Sequence, residues 1–143
     1  MTAKAMNSPD TTHSNRPTLD ALAVRVRKHL QDITRQSIPI TYQALAKALG
    51  LTPPNTIHQV TEALEQLMRE DAAMNRPFIA ALVISRAWGD LPAPGFFDCA
   101  AHLGRFDGDA TGPEARAFHA AESNAAIIFW EGLRPKIGAN EDA

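Results

Sequence analysis

Cys99 and His102 lie three residues apart in a segment whose pattern predicts a helix, so their side chains would share one helix face. A thiol beside an imidazole can hold a metal ion or act as an activated thiolate. Zinc sites need three or four such ligands, and the chain has one cysteine and no His-x-x-x-His pair. We therefore expect Cys99 to be a small core residue without a catalytic or metal-binding role.

Asp90, Asp107 and Asp109 are the acidic residues that could suggest a second metal site. Asp107-Gly108-Asp109 lacks the regular ligand spacing of a calcium loop, so this segment is interpreted as a turn. The glycines around it match no phosphate-binding pattern. Because no nucleophile–base pair or ligand set is complete, the sequence predicts a protein that is not an enzyme and uses no cofactor or metal.

A third set of polar side chains falls where the sequence predicts the start of a third helix, and its chemistry suits nucleic acid. Asn and Gln can form paired hydrogen bonds with adenine, and a helix-turn-helix presents this helical turn to the major groove. The candidate base-contacting residues are Thr52, Asn55, Thr56, His58, Gln59 and Glu62. The alternative interpretation is an ordinary solvated helix face, since the set has no Arg or Lys.

Phosphate contacts would come from basic residues elsewhere in the first half of the chain. The candidates are Lys47, Arg69, Arg76 and Arg86, with Arg25 and Lys28 in addition. Residues 16–88 carry nine Lys and Arg against six acidic residues, whereas residues 89–143 carry four against nine. This asymmetry indicates that a polyanion would meet the first half. Both halves could equally be solvated surface, because a pI near 6.2 is below the usual range of nucleic-acid binders.

The elements that must position these residues begin with a polar segment, residues 1–17, that is interpreted as a disordered arm. Residues 18–134 are predicted to form one domain, and residues 135–143 a disordered tail. The first helix is predicted from Leu19, after an N-cap at Thr18. Its apolar stripe has helical spacing and comprises Leu19, Leu22, Val26, Leu30 and Ile33.

A helix-turn-helix follows in the predicted order of elements. Thr41 caps the second helix, Tyr42 to Leu49, and Gly50 suits the residue after its end. The third helix opens at Pro53–Asn55 and ends near Met74. Its apolar stripe is Ile57, Val60, Ala63 or Leu64, Leu67 and Met68.

The period then changes, and Phe78–Ser85 is predicted to be a strand because it is short, apolar and partly β-branched. Arg86–Gly95 would form a wing loop, and Phe96-Phe97 either the second strand of a hairpin or the lead into a helix. Further helices are predicted at Cys99–Leu103 and from Pro113 to about Gly132. The fold class is therefore α+β: a winged helix-turn-helix, with three helices and a short β-hairpin, followed by additional C-terminal helices.

The stretch Ile38 to Gly50, Ile-Pro-Ile-Thr-Tyr-Gln-Ala-Leu-Ala-Lys-Ala-Leu-Gly, resembles the start of the winged-helix domain in alkylguanine-DNA alkyltransferases and alkyltransferase-like proteins. Asn75-Arg76-Pro77 is similar to the turn that follows the recognition helix of that family, and the resemblance covers residues 38–97. It implies a winged-helix fold. The family's reactive Pro-Cys-His-Arg run is replaced by residues 81–86, Ala-Leu-Val-Ile-Ser-Arg, so the resemblance implies no alkyl transfer. Residues 76–130 are also similar to small bacterial proteins without an assigned function.

Two functions stay open on these grounds. The first is a non-enzymatic protein that binds duplex DNA through the third helix and the wing. The second is a protein-interaction module or homodimer that uses the aromatic residues of the later half as a hydrophobic groove, although core packing is the commoner role of such residues. These residues are Trp88, Phe96, Phe97, Phe118, Phe129 and Trp130. With no apolar segment of membrane-spanning length or signal-peptide pattern, a cytoplasmic location is expected.

Overall fold

The computed structural model describes residues 3–34 and 39–132, with side chains described from Thr18 onward. These residues form five α-helices, two short 3₁₀ helices and a two-stranded sheet, roughly an α+β arrangement. The helices are α1 (Ala3–Asp32), α2 (Tyr42–Ala48), α3 (Thr56–Ala73), α4 (Pro94–His102) and α5 (Pro113–Gly132), and the strands are β1 (Ile40–Thr41) and β2 (Val83–Ile84).

The helix α1 begins at Ala3, upstream of the start predicted at Leu19. The predicted arm, residues 1–17, therefore lies almost entirely within the bounds of this helix. Residues 35–38, where the first helix was expected to end, lie outside the described residues, as do residues 133–143 with the predicted tail.

The apolar stripes predicted for the first and third helices form the centre of the molecule. Leu22, Val26 and Leu30 of α1 are buried against α3. The buried residues of the α3 stripe are Val60, Ala63, Leu64, Leu67 and Met68. Ile57 is the exception, because its side chain is 38% exposed at the first turn of α3.

The second helix confirms its predicted start. The Thr41 hydroxyl oxygen accepts a hydrogen bond from the Ala44 amide at 3.1 Å, which satisfies one of the free amides of the first turn. Gly50 has a φ of +70°, the left-handed conformation that favours glycine after a helix end. The turn that joins α2 to α3 thus begins with a backbone conformation that few residues other than glycine adopt.

The strand predicted at Phe78–Ser85 is wrong over its first part, because Ile79–Leu82 form a 3₁₀ helix. Two backbone amides that would have to donate to a neighbouring strand donate to carboxylates instead. Glu122 accepts from the Phe78 amide at 2.8 Å, and Asp71 accepts from the Ile79 amide at 3.1 Å. The run is apolar because it is buried from every side. A continuous apolar pattern of this kind cannot by itself separate a strand from a buried helical turn.

The predicted hairpin is also corrected. The strand β2 pairs in parallel with β1, with Ile40 opposite Val83 and Thr41 opposite Ile84. Only one antiparallel bridge, Ser85 to Leu91, closes the expected wing within the described residues. This short turn contains the second 3₁₀ helix, Arg86–Trp88.

The helix α4 starts at Pro94, five residues before the start predicted at Cys99, and so it includes Phe96 and Phe97. Proline suits this position because the first helical residue needs no intrahelical amide donor. Both phenylalanines are buried, and their rings meet edge to face at 5.1 Å. Phe106 and Phe118 complete the aromatic core between α4 and α5.

Candidate nucleic-acid interface

The first turn of α3 presents a polar surface. Asn55 precedes the helix with a φ of 63° and no side-chain capping bond, so its amide is exposed. The His58 side chain is 66% exposed, and its Nε2 lies 3.1 Å from the Glu62 carboxylate. Gln59 donates a hydrogen bond to the Pro54 carbonyl at 3.3 Å. The predicted base-contacting residues are therefore held close together at one end of α3.

Side-chain burial increases from the turn before α3 to the second turn of the helix. Thr52 is exposed in the turn before α3, and Thr56 is half-buried at its first residue. One turn further, Val60 is completely buried and fixes the helix on the core. The outward residues of the first turn thus stand on a rigid support.

Lys47 lies near this surface along the chain, in the last turn of α2. It is exposed, and its side chain has no ion pair or hydrogen bond among the residues that the structure describes. The further candidates on α1 differ: Arg25 donates to the Leu49 carbonyl at the end of α2, whereas Lys28 is exposed, with only a long surface pair to Asp32 at 3.8 Å.

Arg86 is a strongly exposed member of the predicted phosphate-contacting set. Its side chain is 79% exposed in the turn after β2, and its Nη1 lies 3.9 Å from Asp90. Surface pairs of this length contribute little, so the guanidinium remains available to an incoming phosphate.

Arg76 has a different environment from the one expected. Its Nε donates to the Asp71 carboxylate at 3.0 Å, and its guanidinium lies over the Trp130 ring at 5.1 Å. Arg27 covers the same ring at 5.0 Å and reaches Asp71 at 2.9 Å. These contacts give Arg76 a structural role in joining α1, α3 and α5, which the sequence did not indicate.

The Asp71 side chain is fully buried in this cluster. Burial raises the pKa of Asp71 above its ordinary value of 3.8, while the Ile79 amide and the Arg27 guanidinium act in the opposite direction. Asp71, Arg27 and Arg76, with the ring of Trp130, form what we call the Asp71 cluster.

Arg69 lies ten residues beyond Gln59, which is about 15 Å along the helix axis. It donates to the Gln66 side chain at 3.0 Å and lines an open groove of about 470 Å³ between α3 and α4. The groove also contains Glu65 and Asp98. Because carboxylates repel phosphates, Arg69 is poorly placed for DNA contact.

Cys99 and His102 line the same groove, so the sequence correctly places them on one helix face. Cys99 is half-buried, and burial raises the pKa of its thiol above 9.0, which keeps it protonated at neutral pH. His102 Nδ1 lies 3.4 Å from the Asp98 carbonyl of its own helix. Among the described residues no three potential ligands are close enough to hold a metal ion.

The sequence argument named Trp88 among the aromatic residues of a possible groove or core, and it missed Arg116. Trp88 was expected in the core but is 49% exposed, and Arg116 is exposed in the first turns of α5. The Gly89-Asp90 turn after Trp88 is a signal that its ring could lie at the surface. Arg116 has no comparable signal, because its approach to this turn depends on the packing of α5.

No family model, curated protein or solved structure matches the chain. Within residues 3–34 and 39–132, none of the helices combines the length and the apolar character needed to cross a bilayer. The function of the candidate interface has to follow from its own geometry and charge.

Proposed function

We propose that this chain is a non-enzymatic, winged-helix-like protein of the cytoplasm that binds duplex DNA through the first turn of α3 and the turn that contains Arg86. One observation carries the proposal: the polar side chains of Asn55 and His58 are exposed at the start of α3, and Val60 is completely buried beneath this turn. The resemblance of residues 38–97 to the alkyltransferase family favours the same fold, without that family's reactive cysteine.

The residues of the α3 start divide by chemistry. Asn55 and Gln59 carry amides that can pair with adenine, and Glu62 can accept a hydrogen bond from cytosine. The pair between His58 and Glu62 holds the carboxylate near the helix surface. This set has the range of donors and acceptors that base recognition in the major groove needs.

Lys47 and Arg86 would supply the phosphate contacts, and these contacts position the protein without reading sequence. Both side chains are exposed, and the one carboxylate that faces Arg86 is a distant surface partner. Arg76 and Arg69 contribute less to this proposal, because the first belongs to the Asp71 cluster and the second to an acidic groove.

The experiment is a fluorescence anisotropy titration of a short blunt duplex over a salt series from about 50 to about 200 mM. We expect affinity to fall steeply with salt. Lys47→Ala and Arg86→Ala should each weaken binding to all sequences and reduce the salt slope by about one. Lys28→Ala serves as the matched control, because Lys28 follows Arg27, which pairs with Glu70 near the end of α3 opposite to the proposed contact surface. Absence of binding by the wild-type protein at micromolar concentration and low salt would refute the proposal.

The interaction-module alternative receives less support. Phe96, Phe97 and Trp130 are at most 6% exposed, so they are occupied within the core and offer no groove to a partner.

A further inference from the structure

A small pocket lies between the turn after β2 and the start of α5. We call it the wing pocket, and it has a volume of about 190 Å³. Its lining residues are Trp88, Leu91, Pro92, Pro94, Ala110, Thr111 and Arg116. Pockets for drug-sized ligands are larger, about 300 to 1,000 Å³, so the wing pocket suits a single flat ring.

Trp88 forms one side of this pocket and is half exposed. No ring-stacking or cation–π contact involves Trp88 among the described residues, whereas Arg27 and Arg76 both lie over the ring of Trp130. The turn fixes its backbone, because the Trp88 amide donates to the Ser85 carbonyl at 3.1 Å. A solvent-exposed indole on a hydrogen-bonded turn is available for stacking.

Two arginines lie beside the wing pocket: Arg116 is part of its lining, and Arg86 precedes Trp88 by two residues. Arg116 is exposed and has no ion pair or hydrogen bond within the described part of the chain. Its Nη2 would lie 3.4 Å from a Cβ at Gly89, so it lies against the residue that follows Trp88. Two carboxylates lie nearby: Asp90 is 3.9 Å from Arg86, and Asp109 accepts two hydrogen bonds from Thr111.

We propose that the wing pocket binds one unpaired base of DNA, stacked on Trp88, with Arg116 and Arg86 on the adjoining phosphates. The inference rests on the proposed DNA binding and narrows its substrate class to DNA that contains a single-stranded stretch. Aromatic stacking contributes about 1 to 3 kcal/mol per base and tolerates any sequence, and arginine guanidinium groups neutralise the backbone. An apolar ring beside two guanidinium groups therefore complements a base and its phosphates.

The test compares the blunt duplex with a duplex of the same sequence that carries a short single-stranded gap. We expect the wild-type protein to bind the gapped DNA at least about five-fold more tightly, which is the lower end of one stacked base. Trp88→Ala should bring the affinity for gapped DNA down to that for the blunt duplex. Arg116→Ala should weaken gapped-DNA binding and lower its salt slope.

Ile128→Ala is the matched control, because Ile128 is an apolar residue of α5 that is 73% exposed and does not line the pocket. Gapped DNA should also protect the wild-type protein from acrylamide quenching. That signal belongs to Trp88, because Trp130 is already buried.

The experiment distinguishes failure of the stacking site from failure of duplex binding. Equal affinity for gapped and blunt DNA, or no effect of Trp88→Ala, overturns the stacking site while duplex binding is judged by Lys47→Ala and Arg86→Ala. If the blunt duplex does not bind but gapped DNA binds through Trp88, the duplex proposal fails and the stacking site stands. If neither DNA binds, both are wrong.

Discussion

At the scale of single residues, the buried carboxylate of Asp71 connects distant segments of the chain. It lies at the end of α3 and accepts from Arg27, Arg76 and the Ile79 amide. A buried charge is tolerated only when it is paired and hydrogen-bonded. Asp71 meets this requirement with partners from three different parts of the chain, so it fixes α1 and the 3₁₀ helix relative to α3.

We expect Asp71→Ala to lower the free energy of unfolding by about 3 to 5 kcal/mol, because two guanidinium groups would lose their buried partner. Glu70→Ala is the control, since Glu70 pairs with Arg27 at 3.1 Å but is 43% exposed, and it should cost about 1 kcal/mol or less. Urea unfolding followed by circular dichroism measures both. Equal losses in the two variants would mean that the Asp71 cluster does not carry this stability.

His119 provides a pH-dependent contribution. Its Nε2 lies 2.8 Å from the Ala81 carbonyl, and burial lowers the pKa of His119 below its ordinary value of 6.5, with Arg116 acting in the same direction. The unfolded chain therefore binds this proton more readily than the folded chain. The stability that His119 contributes is present above pH 6.5 and is lost as the pH falls through the lower, folded-state pKa.

We therefore expect the unfolding free energy to fall on acidification below pH 6.5. His119→Gln should flatten this dependence, because glutamine does not titrate. Its amide can still donate to the Ala81 carbonyl, so the variant keeps this hydrogen bond. Urea unfolding at a series of pH values measures the slopes, and an NMR titration measures the pKa. A His119 pKa at or above 6.5 would contradict the argument.

At the scale of elements, the sequence predicts best where one amphipathic period decides the structure. The stripe of α3 fixes which of its faces is buried, and the cap at Thr41 fixes where α2 begins. Phe78–Leu82 could not be predicted, because the carboxylates that take its amides come from Asp71 and from Glu122 of α5, 44 residues after Phe78. The parallel pairing of β1 with β2 depends on the same long-range packing.

The start of α2 gives a prediction at this scale. Thr41→Ala removes the oxygen that accepts from Ala44, and we expect it to lower the free energy of unfolding by about 1 kcal/mol. Thr41→Ser keeps that oxygen and should restore most of the loss. Thr52→Ala, at an exposed position outside any helix, should have no effect on thermal or urea unfolding. A serine variant as unstable as the alanine variant would exclude the capping bond as the cause.

The candidate interface was predictable only in part, for a related reason. Side-chain type and helix position are local, so Asn55, His58 and Gln59 were found from the pattern. Whether a basic side chain is available to a ligand depends on the residues that pack against it. Arg76 could not be recognised as structural, because its partners are Asp71 on α3 and Trp130 on α5.

At the scale of the whole molecule, the two tryptophans have opposite environments, one buried in the core and one exposed at the surface. Trp130 is 2% exposed, and the guanidinium groups of Arg27 in α1 and of Arg76, which follows α3, both lie over its ring. Trp88 is 49% exposed in the turn after β2. One ring thus links the last helix to the first, and the other is free to meet a ligand.

We expect Trp130→Ala to destabilise the entire domain by about 3 to 5 kcal/mol, because it leaves a cavity and removes the surface on which Arg27 and Arg76 lie. Trp88→Ala should change the free energy of unfolding by no more than about 0.5 kcal/mol. Urea unfolding followed by far-UV circular dichroism gives both values, and sedimentation velocity of each variant checks that neither change reflects altered self-association. If Trp88→Ala cost as much as Trp130→Ala, the exposed ring would be part of the core and the wing pocket would lose its stacking surface.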